Sequence, residues 1–136
     1  MRIMAIDYGD ARTGVAISDP SGFLTGFTTV VPSRKPEKAL EDLIRIAAEH
    51  KVEHLVVGLP KNMDGTIGFK AEEVQQFIAD LTAERKIDII WIDERLTTVS
   101  AERVLLEADV SRAKRKKVID KMAAVCILEA YLPTRK

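Results

Sequence analysis

Residues Ile87 to Ile92 read Ile-Asp-Ile-Ile-Trp-Ile, an almost unbroken apolar run. A run this short and this apolar suits a strand covered on both sides. Such a strand needs helices above and below it, so the chain is expected to be layered α/β. The rest of the sequence must supply those layers.

Three apolar segments open the chain. Ile3 to Ile6 is bounded by Asp7-Tyr8-Gly9-Asp10, and Thr13 to Asp19 is closed by Pro20-Ser21-Gly22. Phe23 to Val31 is rich in Thr, Phe and Val. Strand-forming residues between turn residues predict three adjacent antiparallel strands. The period then changes. Leu40, Leu43, Ile44 and Ala47 recur at helical spacing, which predicts a helix over Glu37 to His50. His54 to Leu59 is a fourth strand, ended by Pro60. A second helix carries Val74, Phe77, Ile78 and Leu81, and opens near Gly65-Thr66, whose backbone N–H groups are free to meet a phosphate. After the Ile87–Ile92 strand, Thr97 or Thr98 can cap a third helix to about Ala108. A last helix runs from about Lys114 to Leu132, with Pro133 ending it. The expected fold is a mixed five-stranded sheet, three antiparallel strands followed by αβαβαα, with helices on both faces.

The length of 136 residues suits a single domain spanning 1–136. The formal net charge is zero, so any contact with nucleic acid must come from a local patch. One cysteine, Cys126, excludes an internal disulfide and fits a reducing compartment. No run is long enough to span a bilayer, and Met1-Arg2-Ile3-Met4 leads straight into a strand without a signal-peptide core. The expectation is a cytoplasmic, unprocessed protein with no membrane partner, monomeric or a weak homodimer.

Open α/β sheets carry their chemistry at strand ends. Asp7 follows the first strand, and Asp93 and Glu94 follow the last. If those strands are parallel, the acids emerge at one edge. Alternation does not decide between Asp93 and Glu94, because both faces of that strand look covered. Asp120 interrupts the apolar final helix, with Ala123, Ala124, Ile127 and Tyr131 on the same helical face. A buried acid needs a partner. Lys116 or Lys117, one turn earlier, is one; a divalent cation shared with Asp7 and Glu94 is the other. Hard oxygen ligands suit Mg²⁺ or Mn²⁺. Two such ions held roughly 4 Å apart can activate water and stabilise the leaving oxygen of a phosphodiester.

The basic run Arg112, Lys114, Arg115, Lys116, Lys117 and Lys121 opens the last helix. Cations there oppose the helix macrodipole, so helix stability does not favour them; a solvated charged face is one reading, and phosphate binding, preferred because the run lies beside Asp120, is the other. Arg12, Lys61 and Arg95 lie near predicted strand ends and add phosphate contacts. His50 and His54 flank a helix end and a strand start and read as surface residues. Cys126 reads as a core thiol.

Four segments in order resemble one family. They are Ile6-Asp7-Tyr8-Gly9 continuing through Arg12 to Gly14-Val15-Ala16 and Ser18-Asp19; Val56-Val57-Gly58-Leu59-Pro60 with Gly65-Thr66; Asp93-Glu94-Arg95-Leu96-Thr97-Thr98; and Asp120 with Ala123-Ala124 and Ile127-Leu128. Together they are similar to the YqgF family of RuvX-type proteins, described as pre-16S rRNA nucleases and Holliday junction resolvase-like proteins. Ala5 stands where that family usually has glycine. The resemblance implies an RNase H-like fold, and Asp7, Glu94 and Asp120 match the family's catalytic acids. It implies a metal-dependent endonuclease acting on structured RNA, namely the 5′ end of pre-16S rRNA in ribosome biogenesis. The alternative is branched DNA, as in a Holliday junction resolvase. A binding module for RNA or a transcription complex, with structural acids, is a further reading. A phosphotransferase of the actin and sugar-kinase type fits poorly, because those enzymes close two such domains on a nucleotide.

Overall fold

The computed structural model describes residues 2–9, 11–22, 24–59, 68–83, 87–93 and 112–132, the last stretch by its backbone alone as far as residue 120. The described elements are β1 (Arg2–Asp7), β2 (Arg12–Ser18), β3 (Thr25–Pro32), α1 (Pro36–Glu49), β4 (Val52–Leu59), α2 (Phe69–Thr82), β5 (Asp88–Asp93) and α3 (Arg112–Tyr131).

The strands form one sheet in the order β3-β2-β1-β4-β5. β1 pairs antiparallel with β2, and β2 with β3, as tight turns between successive strands require. β1 pairs parallel with β4, and β4 with β5, across the helical connections. The first strand is therefore the middle of the sheet. That explains why Ile3, Met4, Ala5 and Ile6 are all fully buried.

Alternation along the strands sends successive side chains to two separate cores. On one face Met4, Ile6, Val15, Ile17, Leu55 and Val57 pack under α1 and α2. The apolar faces of those helices supply Ala39, Leu43 and Ile46, and Val74, Phe77 and Ile78. On the other face Ile3, Ala5, Ala16 and Val56 pack under Ala124, Ile127 and Leu128 of α3. Ala5 and Ala16 are cross-strand partners, so alanine meets alanine where α3 crosses the central strands. The helices thus cover both faces.

Some boundaries differ from expectation. β3 begins at Thr25 rather than Phe23, because Asp19 organises the preceding turn: its carboxylate accepts from Gly22 N at 3.0 Å and Ser21 Oγ at 2.6 Å. The helix expected to open near Gly65-Thr66 begins at Phe69, with Gly68 as its N-cap; residues 65 and 66 lie outside the described residues. α3 begins at Arg112, two residues before the expected Lys114. The helix expected over Thr97 to Ala108 also lies outside them. β5 is the edge strand of the sheet, and residues pack on both its faces as expected: Ile89 toward α1 and α2, Ile90 and Ile92 toward α3, while Trp91 stays 37% exposed. Among the described residues no helix is long and apolar enough to cross a membrane.

Candidate active site

Asp7 ends the central strand at the edge where β1, β4 and β5 all finish. The first and last strands run parallel, with β4 between them, so the condition for a shared edge is met and Asp7 and Asp93 leave the sheet together. They do not leave on one face. Asp7 continues the alternation of Ile3 and Ala5, which pack toward α3. Asp93 continues that of Ile89, which packs toward α1 and α2. Ile90 and Ile92 are the β5 residues on the α3 side.

Glycines flank Asp7 on that side. Its partner across to β2 is Gly14, which puts no side chain beside the carboxylate. Gly58 on β4 pairs with Ile92 and alternates with Val56 onto the α3 face. Asp7 is thus half-buried, with side chains absent at both neighbouring positions, at the end of the sheet face that α3 covers. In α3, Ala123 and Ala124 are buried at 2% and 0% exposure, and Ala124 packs with Ala5 and Ala16, where small side chains let the helix approach the sheet.

The turn after Asp7 is held from a distance. Ser33, just past β3 and 2% exposed, donates its Oγ–H to the Gly9 carbonyl and its N–H to the Ala11 carbonyl at 3.0 Å. A Cβ added at Gly9 would strike the backbone carbonyl oxygen of Arg12, so glycine is the residue this turn accepts. Sequence reasoning missed Ser33. It is 24 positions from Gly9, and only the pairing of β2 with β3 brings it there.

Arg12 opens β2 at the same edge as Asp7, half-buried. Arg112, Lys114, Arg115, Lys116 and Lys117 fall in the first turns of α3, and Lys121 is exposed. Lys61, Glu94 and Arg95 lie outside the described residues. Asp120 is described by its backbone, one turn before Ala124. Among the described residues no three His, Cys, Asp or Glu side chains gather as metal ligands.

The two histidines have structural surroundings. His50 Nδ1 lies 2.9 Å from the Ile46 carbonyl, and the ring stacks on Phe27 at 4.6 Å. His54 faces Asp88 at 3.6 Å, at the start of β4 and far from Asp7 along the strands. Cys126 is half-buried, and its thiol pKa is pushed up by burial and then by the charge of Glu129.

A mixed five-stranded sheet in this order, with an acid at the end of its central strand and helices on both faces, defines an RNase H-like protein. Two solved structures share the architecture. RuvC of T. thermophilus in complex with a Holliday junction substrate superposes with a TM-score of 0.62 at 15% identity, over 100% of this chain and 98% of that one. The Fowlpox virus resolvase with junction DNA gives 0.61 at 14% identity, over 98% of each chain.

The chain belongs to the RuvX family, whose model, described as Holliday junction resolvase, matches residues 1–134. A relative from Clostridium novyi named "Putative pre-16S rRNA nuclease" is 48% identical, over 97% of this chain and 98% of its own length. One of the same name from Thermoanaerobacter pseudethanolicus is 50% identical, over 100% and 99%. By family the chain is a hydrolytic nuclease.

Proposed function

We propose that the chain is a divalent-metal-dependent endonuclease that cuts structured RNA and matures the 5′ end of pre-16S rRNA. The observation that carries this reading is the place of Asp7: the end of the central strand, between two glycines, on the sheet face that α3 covers. RNA is preferred over branched DNA because the relatives near 50% identity carry the pre-rRNA name. The junction-bound structures, at 14–15% identity, share the fold.

Asp7, Glu94 and Asp120 are the proposed ligands. Of the adjacent acids after β5, Glu94 is chosen because Asp93 stands on the opposite face from Asp7. For Asp120 the support is a matched step. It precedes Ala124 by about 6 Å along the helix, and Asp7 follows Ala5 by about 7 Å along the strand. Ala5 and Ala124 share one core cluster. These carboxylates are hard oxygen donors and fit Mg²⁺ or Mn²⁺, with two ions the proposed complement. When bound, the metal supplies an activated water and neutralises charge on the leaving oxygen.

The chain's own residues do the positioning. Asp7 presents its carboxylate from a strand end that cannot shift without disturbing two cores. Ser33 keeps the following turn, and with it Arg12, in place. Arg12, Lys61, Arg95, Arg112, Lys114, Arg115, Lys116 and Lys117 are the proposed phosphate contacts. They fix the strand without reading its sequence.

The test is cleavage of a pre-16S rRNA fragment bearing its 5′ extension, beside a four-way DNA junction, with Mn²⁺ or Mg²⁺. Wild type should trim the RNA, and Asp7→Asn should lose activity on the order of 100-fold or more while folding normally. Full activity in Asp7→Asn would remove the site assignment. Cleavage of the junction alone would reassign the substrate.

A further inference from the structure

On the α1–α2 side a groove of about 380 Å³ lies beside the strand edge. Its floor is aromatic. Tyr8 and Phe77 stack with ring centroids 4.5 Å apart, and Phe69 joins them while remaining 77% exposed. An aromatic ring so exposed at a groove marks a surface that gains by being covered. Phe69, Glu73, Gln76 and Asp80 recur at helical spacing, so they form one outward stripe of α2.

The charge of the groove selects its occupant. Glu72, Glu73 and Asp80 line it, and among the described residues no basic side chain does. Lys70 reaches Glu73 at 3.9 Å, but this exposed pair is weak and leaves the groove acidic. Gln76 donates to Asp80 at 3.1 Å, which fixes one carboxylate as an acceptor on the rim. A nucleic-acid backbone is repelled by three carboxylates, so this surface does not lie on the path of the substrate.

We infer that the groove docks a basic segment of a partner protein, anchored by an aliphatic or aromatic side chain against Phe69 and Phe77 and flanked by arginine or lysine. Arginine suits it best, because a guanidinium can stack on Phe69 while pairing with Glu72 or Glu73. The inference does not depend on the nuclease reading, since it concerns the opposite face of the sheet from Asp7.

The test uses the full chain and fluorescence anisotropy at physiological salt. The probes are a panel of labelled peptides of about 12 residues, with one Leu, Phe or Trp among Arg and Lys at varied spacing. Their glutamate counterparts and a single-stranded RNA of similar length serve as controls. Phe69→Ala and the charge reversal Glu72→Lys/Glu73→Lys change exposed or half-exposed positions, and thermal melts confirm folding. Basic peptides should bind wild type and Asp7→Asn equally. Both groove variants should weaken them about tenfold or more, and the acidic counterparts should not bind. The inference is overturned if no basic peptide binds below millimolar concentration, or if binding ignores both groove variants. It is also overturned if RNA binds and Phe69→Ala weakens it, which would make the groove a base-stacking surface.

Discussion

Ser33 donates a side-chain hydrogen bond to the carbonyl oxygen of Gly9, tying the end of β3 to the turn that follows Asp7. The serine is buried, so its loss would leave that carbonyl without its partner. Ser33→Ala is therefore expected to cost about 1–3 kcal/mol. Urea unfolding measures that cost. Metal titration separates positioning from plain stability: if Ser33 holds Asp7 in register, Ser33→Ala also raises the Mn²⁺ concentration needed for half-maximal cleavage. An unchanged metal requirement would leave Ser33 a fold residue alone.

Thr13 is a second buried hydroxyl near this turn, with the opposite sign. It is fully buried in β2, and its Oγ1 has no hydrogen-bond partner among the described residues. It lies on the side of the strand that carries Val15 and Ile17 into the larger core. Thr13→Val keeps the β-branched shape and removes a polar group whose burial is uncompensated. Stability should rise by about 1 kcal/mol, seen as a higher Tm. A fall in Tm would mean the hydroxyl has a partner after all.

Lys51 stands at φ 53° just after α1, in the left-handed region that side chains avoid. It belongs to the stop signal of the helix: His50 N–H donates to the Ile46 carbonyl at 3.1 Å, and Lys51 N–H to the Ala48 carbonyl at 3.2 Å. Glycine adopts that conformation freely. Lys51→Gly should gain up to about 1 kcal/mol, less what glycine adds to the entropy of the unfolded chain. Chemical denaturation gives the sign.

How far the sequence shows all this varies by residue. Asp7 was legible because an acid directly follows a short apolar run, while the parallel relation of β1 and β5 comes from the pairing of each with β4. The Ala123-Ala124 pair announced a close helix–sheet contact. The edge position of β5 was hidden, because Ile87 to Ile92 has the same apolar pattern whether a strand has one neighbour or two. The same pattern hid the alternation of Asp93 against its neighbours, which the register with β4 supplies. Ser33 and the Tyr8–Phe77–Phe69 groove were invisible, since each joins segments far apart in the chain, and local periodicity carries no record of that.

Cys126 should be a slow nucleophile. Burial first, and then the negative charge of Glu129, raise its pKa above the ordinary thiol value. Less thiolate is present at a given pH, so its rate–pH profile with a disulfide reagent should lie to higher pH than that of free cysteine. Glu129→Gln removes the smaller cause and should move the profile part of the way back. A profile matching free cysteine would mean that the thiol is more solvated than its packing indicates.

If Glu94 is a metal ligand, the dipeptide Asp93-Glu94 divides a structural acid from a functional one. Asp93 ends β5 on the α1–α2 side, away from the face of Asp7. Its removal is expected to touch stability and to spare chemistry: Asp93→Asn should keep kcat near wild type and shift Tm modestly. Glu94→Gln, if Glu94 is a metal ligand, should lose cleavage as Asp7→Asn does. The double variant Asp7→Asn/Glu94→Gln should then be little worse than either alone, because both changes disable one metal site. Parallel single-turnover assays at saturating Mn²⁺ decide it. An inactive Asp93→Asn beside an active Glu94→Gln would reverse the assignment and require the end of β5 to turn over before it meets the substrate.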